Sequence, residues 1–376
     1  MFQRVAPVLA ITAALLIAAD GPKSADLTIH EWGTFTSVAG EDGLSVDWDS
    51  LSCPGDLPKF VNDHGFPAFK SVLVAPVRME TPVIYFYAPH ELTAHVTVRF
   101  PHGLITEWYP NAQYTVEQDG SPLPANLSGI DFSLHKPKGA IEWRDIKVQP
   151  GTAPAFPVEN RPSRYYIARE TDAAPITVGG QHEKFLFYRG VARLEVPLSA
   201  SISAGGKILI ENRGADRVPG VILFESRGGK LGYRVVGTVE RNATADAPTL
   251  DGTFAQLQND LESTLIAQGL FAKEAHAMVE TWRDSWFEEG SRLLYIVPAR
   301  TVDTMLPVQI EPTPAKIARV FVGRIELITP ATTAAVKQAI AMRDGVTLNL
   351  YRRFLDPILA RIGIQPFHGY AGCRQY

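Results

Sequence analysis

The stretch Leu27–Phe35, LTIHEWGTF, alternates with period two, so Leu27, Ile29, Glu31 and Phe35 fall on one side of an extended strand and His30 and Trp32 on the other. Similar β-rich runs recur at Val83–Tyr87, His95–Phe100, Ile141–Val148, Lys184–Tyr188, Lys207–Glu211, Val221–Glu225 and Tyr233–Val239. Pro and Gly punctuate them, and no helical pattern of βαβ length separates them. That spacing points to antiparallel β-sandwich architecture rather than a doubly wound sheet. Between Pro150 and Pro162 four prolines fall in 13 residues, which reads as a linker. The division expected is therefore a β-rich segment over 26–150 and a second, or a continuation of the first, over 163–245.

After residue 250 the period changes from 2 to 3.6. Thr253 and Gln256 form a capping box, Phe254, Leu257, Leu261 and Leu265 make one helical stripe, and Gly269 stands where a C-terminal cap belongs. Ala275, Met278, Val279, Trp282 and Trp286 make a second stripe that stops at Gly290. Strand-like runs follow at Leu293–Val297 and Ile317–Ile328. Thr329-Pro330 then opens a helix, and a last helical piece spans Leu348–Ile362, interrupted at Pro357. The class expected is α+β and β-rich, ending in a smaller mixed domain over 250–376 with a helical hairpin and C-terminal helices.

Composition excludes several classes. The chain of 376 residues is 45% hydrophobic and 20% charged, too apolar for disorder, and two Cys cannot make a disulfide-dense scaffold. From Leu250 onward 13 acids balance 13 bases, and the part before it holds 27 acids and 23 bases. Neither part offers the clustered cations that a phosphate backbone needs, which argues against nucleic acid as a partner.

Arg4 is followed by the apolar run Val5–Ala19, VAPVLAITAALLIAA, the form of a secretory signal peptide over 1–19. Its 15 residues are short for a permanent span, and no later segment is apolar enough to be one. The mature protein is thus expected to be exported, periplasmic or extracellular, with no integral membrane span. Export permits a disulfide between Cys53 and Cys373; two buried thiols are the alternative.

Motifs that carry chemistry are weak. In His90-Glu91-Leu92-Thr93-Ala94-His95 the second His stands at i+5, not the i+4 that puts two ligands on one helix face. There is no G-x-S-x-G elbow, and Gly205-Gly206-Lys207 lacks the rest of a phosphate loop. No cofactor is identified. Glu31 stands out because a carboxylate on an apolar strand face must be paired or neutralised, and either condition can serve proton transfer. Glu183, Phe185, Phe187 and Arg189 alternate in the same way, making Arg189 a candidate partner for Glu31 or for a ligand. His276, Glu280 and Arg283 lie along one helix flank, as a solvated ionic face or a proton-transfer pair. Trp32 beside His30 on the second strand face suits sugar stacking. The weak metal candidates are His30, His182 and His276.

The strings His30-Glu31-Trp32-Gly33-Thr34, Met79-Glu80-Thr81-Pro82 and Thr281-Trp282-Arg283-Asp284-Ser285-Trp286-Phe287 resemble those of an uncharacterised group of exported bacterial proteins. The resemblance covers most of the mature chain. It implies a bacterial envelope or secreted location and brings no activity with it. The functional expectation is an exported binding or structural module of the envelope with a glycan or peptide ligand. A secreted hydrolase of polysaccharide or peptide, metal-assisted or using Glu31 with Glu183, is the competing reading.

Overall fold

The computed structural model describes residues 23–50, 57–65, 73–123 and 130–365. The signal-peptide segment 1–19 and the Cys53 and Cys373 pair lie outside the described residues. Strands are numbered along the chain. Nine make the largest sheet, in the spatial order β16 (Lys230–Val239), β15 (Val218–Arg227), β18 (Gly290–Val297), β20 (Thr313–Leu327), β1 (Lys23–Ala39), β5 (Val77–Tyr87), β12 (Leu186–Ala192), β7 (Gly103–Tyr109) and β3 (Asn62–Asp63). Its neighbours are antiparallel with one exception. β1 and β20 run parallel, pairing Glu31 with Arg319 and Thr36 with Arg324.

A six-stranded sheet has the order β11 (Gln181–Glu183), β10 (Ile176–Val178), β9 (Pro137–Val148), β6 (Leu92–Phe100) and β19 (Val308–Glu311), with β8 (Gln113–Gln118) also on β9. Three strands, β13 (Leu198–Ile202), β14 (Ile208–Asn212) and β17 (Asn242–Ala245), make a third sheet; β2 (Trp48–Asp49) and β4 (Val74–Ala75) pair separately. The helices are α1 (Phe132–His135), α2 (Phe254–Ala267), α3 (Ala272–Trp286), α4 (Ala299–Met305), α5 (Pro330–Met342), α6 (Gly345–Leu350) and α7 (Leu355–Arg361).

The chain is thus β-rich, with several sheets and its longer helices after residue 250. The segments 26–150, 163–245 and 250–376 each contribute strands to the nine-stranded sheet. The helix signals correspond to local geometry. Thr253 caps α2 by accepting the Gln256 amide at 3.3 Å, Gly269 follows it at φ +114°, and Thr329 caps α5 with Pro330 at its first position.

Both faces of β1 are covered. On one, Ile29 and Phe35 share a core with Val96, Val98, Ile141 and Trp143 of the six-stranded sheet and Leu198 and Ile210 of the third. On the other, Trp32, Tyr85 and Phe187 pack against Leu257, Leu261, Met278 and Trp286 of α2 and α3. Further along that face Val38 and Ile328 meet Val336, Phe354 and Ile358 of α5 to α7. Full burial of each large apolar side chain is worth about 1.5–3 kcal/mol. The second strand face, bearing His30 and Trp32, is therefore not open to a ligand: both residues are 0% exposed. Period-two alternation distinguishes the two faces of a strand but not what covers each, and here helices cover the second. Gly33 lets β1 lie close to its neighbours, since a Cβ there would stand 2.8 Å from the Phe321 ring and 3.1 Å from the Pro82 backbone.

Candidate functional site

Glu31 is buried and fully engaged. Tyr188 donates its hydroxyl to Oε1 at 2.5 Å, and Arg319 Nε donates to Oε2 at 2.5 Å. Arg319 in turn binds Asp303 at 2.7 Å. The carboxylate's partner is therefore Arg319, its neighbour across the parallel strands, and not Arg189. Arg189 is 3% exposed and pairs with Glu107 at 3.7 Å, so neither role expected of it holds: a buried, ion-paired guanidinium presents nothing to a ligand. Trp32 lies in the core under α3 and cannot stack a sugar from there.

Glu183 accepts from Arg169 at 2.7 Å and from Tyr165, whose ring lies in the helix-covered core. Glu31 belongs to the opposite, sheet-covered face, so the two carboxylates do not converge. His30 Nδ1 lies 2.7 Å from Glu274, His182 Nδ1 2.9 Å from the Thr177 hydroxyl, and His276 Nδ1 2.8 Å from Glu262 of α2. These three histidines have separate partners in separate places. Among the described residues no three His, Cys, Asp or Glu side chains are grouped to hold a metal ion. Glu280 pairs with Arg164 and Arg283 rather than with His276, which makes that helix flank a solvated ionic face.

The strings that carry the sequence resemblance meet in one place. Thr34 is in register with Glu80, and Arg353 bridges Glu80 to the Ser285 hydroxyl, which it reaches at 2.5 Å. Around them Arg292 binds Glu326 at 2.9 Å, and Arg324 reaches Glu326 at 3.2 Å and Glu288 at 3.7 Å. Burial pushes the Glu80 carboxyl up, but the guanidiniums of Arg353, Arg78, Arg324 and Arg189 outweigh it and hold the group below its ordinary value. Burial and the neighbouring Arg292 and Arg353 pull Arg324 down to about 10. This ionic layer separates two apolar clusters of the helix-covered face and ties the C-terminal helices to the sheet. An intact buried ionic layer adds little net stability, but removing one partner leaves an uncompensated buried charge and is strongly destabilising.

An open concave site lies elsewhere, on the outer face of the six-stranded sheet. Alternation in β6 sends Ala94, Val96, Val98 and Phe100 into the core and leaves Thr93, His95, Thr97 and Arg99 outward. β9 does the same until a bulge at Arg144 and Asp145, where Asp145 takes φ +53° and donates its amide to His95 at 3.3 Å. Four adjacent strands consequently align polar side chains in rows. Gln113, Glu142, Thr97 and Gln309 are in register across β8, β9, β6 and β19. Thr115 and Arg99 flank Ala140 in a second row, and Glu311 with His95 begins a third. They enclose a cavity of about 600 Å³. Neighbouring strands are about 4.8 Å apart, so a four-strand row spans roughly 14 Å. Glu142 is paired with Arg144 at 2.8 Å, and across the lining Arg99 and Arg144 face Glu117, Glu142 and Glu311, so the charges nearly cancel with a slight acidic excess. Among the described residues no Phe, Tyr or Trp lines it. Sequence reading missed these residues because polar side chains on the outer face of a strand are the ordinary case. Only their register across four strands marks them out.

No family model matches the chain, and no curated protein matches it. Among solved structures it is similar to the yeast delta-COP-I mu-homology domain, at 10% identity over 82% of this chain and 98% of that one. The TM-score is 0.26, and a likeness of that size carries no argument. No helix among the described residues is long and apolar enough to cross a membrane.

Proposed function

We propose that the protein is an exported binding module whose six-stranded sheet forms the outer layer of a sandwich and holds a neutral, hydroxyl-rich glycan on its polar face. The observation that carries this reading is the cavity of about 600 Å³ lined by aligned Gln, Thr, Glu, Arg and His side chains from four strands. Volumes of that order hold small ligands. On a sheet face the backbone groups are already paired, so a ligand there is read by side chains alone. An extended peptide gains most of its affinity by adding to a sheet edge instead, which favours the glycan. Offset charge favours an uncharged ligand over a polyanion. The apolar run Val5–Ala19 supports export.

The test is a glycan array probed with the wild-type protein and with Thr97→Trp, which plugs the middle of the first row without touching the core. Neutral glycans bound by the wild type and lost in the variant support the proposal. Binding of glycans that survives the plug, or preference for peptides over every glycan, contradicts it.

A further inference from the structure

We propose that a second cavity, of about 550 Å³, binds a carboxylate-bearing ligand through the ammonium group of Lys184. This site is independent of the glycan face and draws on different elements. Asp26 and Thr28 of β1, Tyr87 at the end of β5, Thr152, Thr171, Asp172 and Lys184 supply its polar lining, and Pro89, Pro150 and Pro175 supply apolar walls.

Lys184 is the reason for the assignment. An ammonium group has three donors. Nζ spends one on the Thr171 carbonyl oxygen at 2.9 Å, and no carboxylate lies within ion-pair distance of it among the described residues. The side chain is half-buried, so its charge gives up part of its hydration without a counter-ion in return. The carboxylate nearest in sequence, Glu183, is bound by Arg169 and takes only the Lys184 backbone amide, at 2.8 Å. Asp172, which also lines the cavity, is exposed and pairs with Lys273 of α3 at 2.5 Å, so its repulsion of an anion is partly offset by that ammonium and screened by water. Tyr87 donates its hydroxyl to Glu274 at 2.8 Å. Asp26 is exposed, so its repulsion of an incoming anion is screened by water and salt. A carboxylate entering the cavity would therefore meet one cation with two donors not bonded to protein and the Thr28 and Thr171 hydroxyls, while the lining carboxylates Asp26 and Asp172 are both exposed and screened. That is the chemistry of a small organic acid or a peptide carboxyl terminus.

A pH dependence follows from the same geometry. Burial holds the Lys184 ammonium below its ordinary value of 10.5, Asp172 pulls it up, and Lys273 pushes it down again. A bound carboxylate stabilises the charged form and raises that pKa. Affinity is then full while free Lys184 is protonated, and it falls about tenfold per pH unit above the free-state pKa until the bound-state pKa is reached.

The experiment uses the full mature chain labelled with ¹³C at lysine Cε, titrated at constant ionic strength with acetate and N-acetylglycine and, in parallel, with their amides. The expected result is a saturable shift of the Lys184 resonance and a higher titration midpoint with the acids only. Binding should vanish in Lys184→Met, which keeps the stem, and persist in Lys184→Arg, which keeps the charge. The proposal is overturned if no acid moves the Lys184 resonance, if amides act equally, or if affinity survives Lys184→Met. Should Lys184→Met fail to fold, the comparison of acid with amide on the wild type decides alone. A shift by N-acetylglycine but not by acetate would identify the peptide-terminus source over the simple acid.

Discussion

Replacing Glu31 by Gln separates a structural carboxylate from a catalytic one. The Glu31 side chain is 2% exposed and Arg319 5%, with Tyr188 and Arg319 both donating to the carboxylate at 2.5 Å. Gln offers one acceptor where two donors point, and its amide NH₂ would face Tyr188 or Arg319. Removing one partner of a buried ion pair costs about 3–5 kcal/mol. Arg319 keeps Asp303, itself 62% exposed, so the lower end applies and the expected loss is about 3 kcal/mol. Tyr188→Phe, which removes only the hydroxyl donor, should cost about 1 kcal/mol. In Glu31→Gln/Arg319→Met both charges of the pair are gone, and much of the loss should be recovered. The assay is urea unfolding at pH 7 followed by tryptophan fluorescence, comparing midpoints at unchanged slope. A Glu31→Gln midpoint equal to wild type, with no coupling between positions 31 and 319, would refute the reasoning and restore Glu31 as a candidate for chemistry.

Further outcomes are expected of the ionic layer. Arg353→Ala leaves Glu80 buried beside Arg78 alone of its two directly bonded guanidiniums, so stability should fall by about 3 kcal/mol or more, and amide exchange should rise first in 345–361. Because Glu80 has its folded pKa held below the ordinary 4.5, its contribution is present above that value and is lost as pH falls through the folded pKa. The stability gap between wild type and Glu80→Gln should accordingly narrow as pH falls below the ordinary 4.5 in acid unfolding, and a gap that stays constant or widens would contradict the assignment.

Much of this architecture was written locally. The capping box at Thr253 and Gln256, the Thr329-Pro330 start and the two apolar stripes each specify a helix from residues a few positions apart. What decided the site was not local. The parallel pairing that brings Arg319 to Glu31 joins residues 288 apart, and nothing in either strand names the other. His30 and Trp32 sit on a face that would be wet if α2 and α3 packed elsewhere, so their burial depends on tertiary choices that alternation does not record. The polar rows on β6, β8, β9 and β19 were equally hidden, because each strand alone shows an ordinary outward face. As a site candidate, His95 featured in the sequence only through a spurious metal motif. Its neighbours Thr97, Gln113 and Gln309 were not candidates at all, since a row emerges only when four registers are known together.

The most direct measurement is the dissociation constant of the best array glycan for wild type and for Gln113→Ala/Gln309→Ala. These two residues end the first row, and neither contributes to the core. Each lost hydrogen bond is worth about 1 kcal/mol, so the pair should weaken binding by roughly 10- to 30-fold with the unfolding midpoint unchanged. An unchanged constant in the double variant, or a wild-type protein that binds no glycan, would contradict the account.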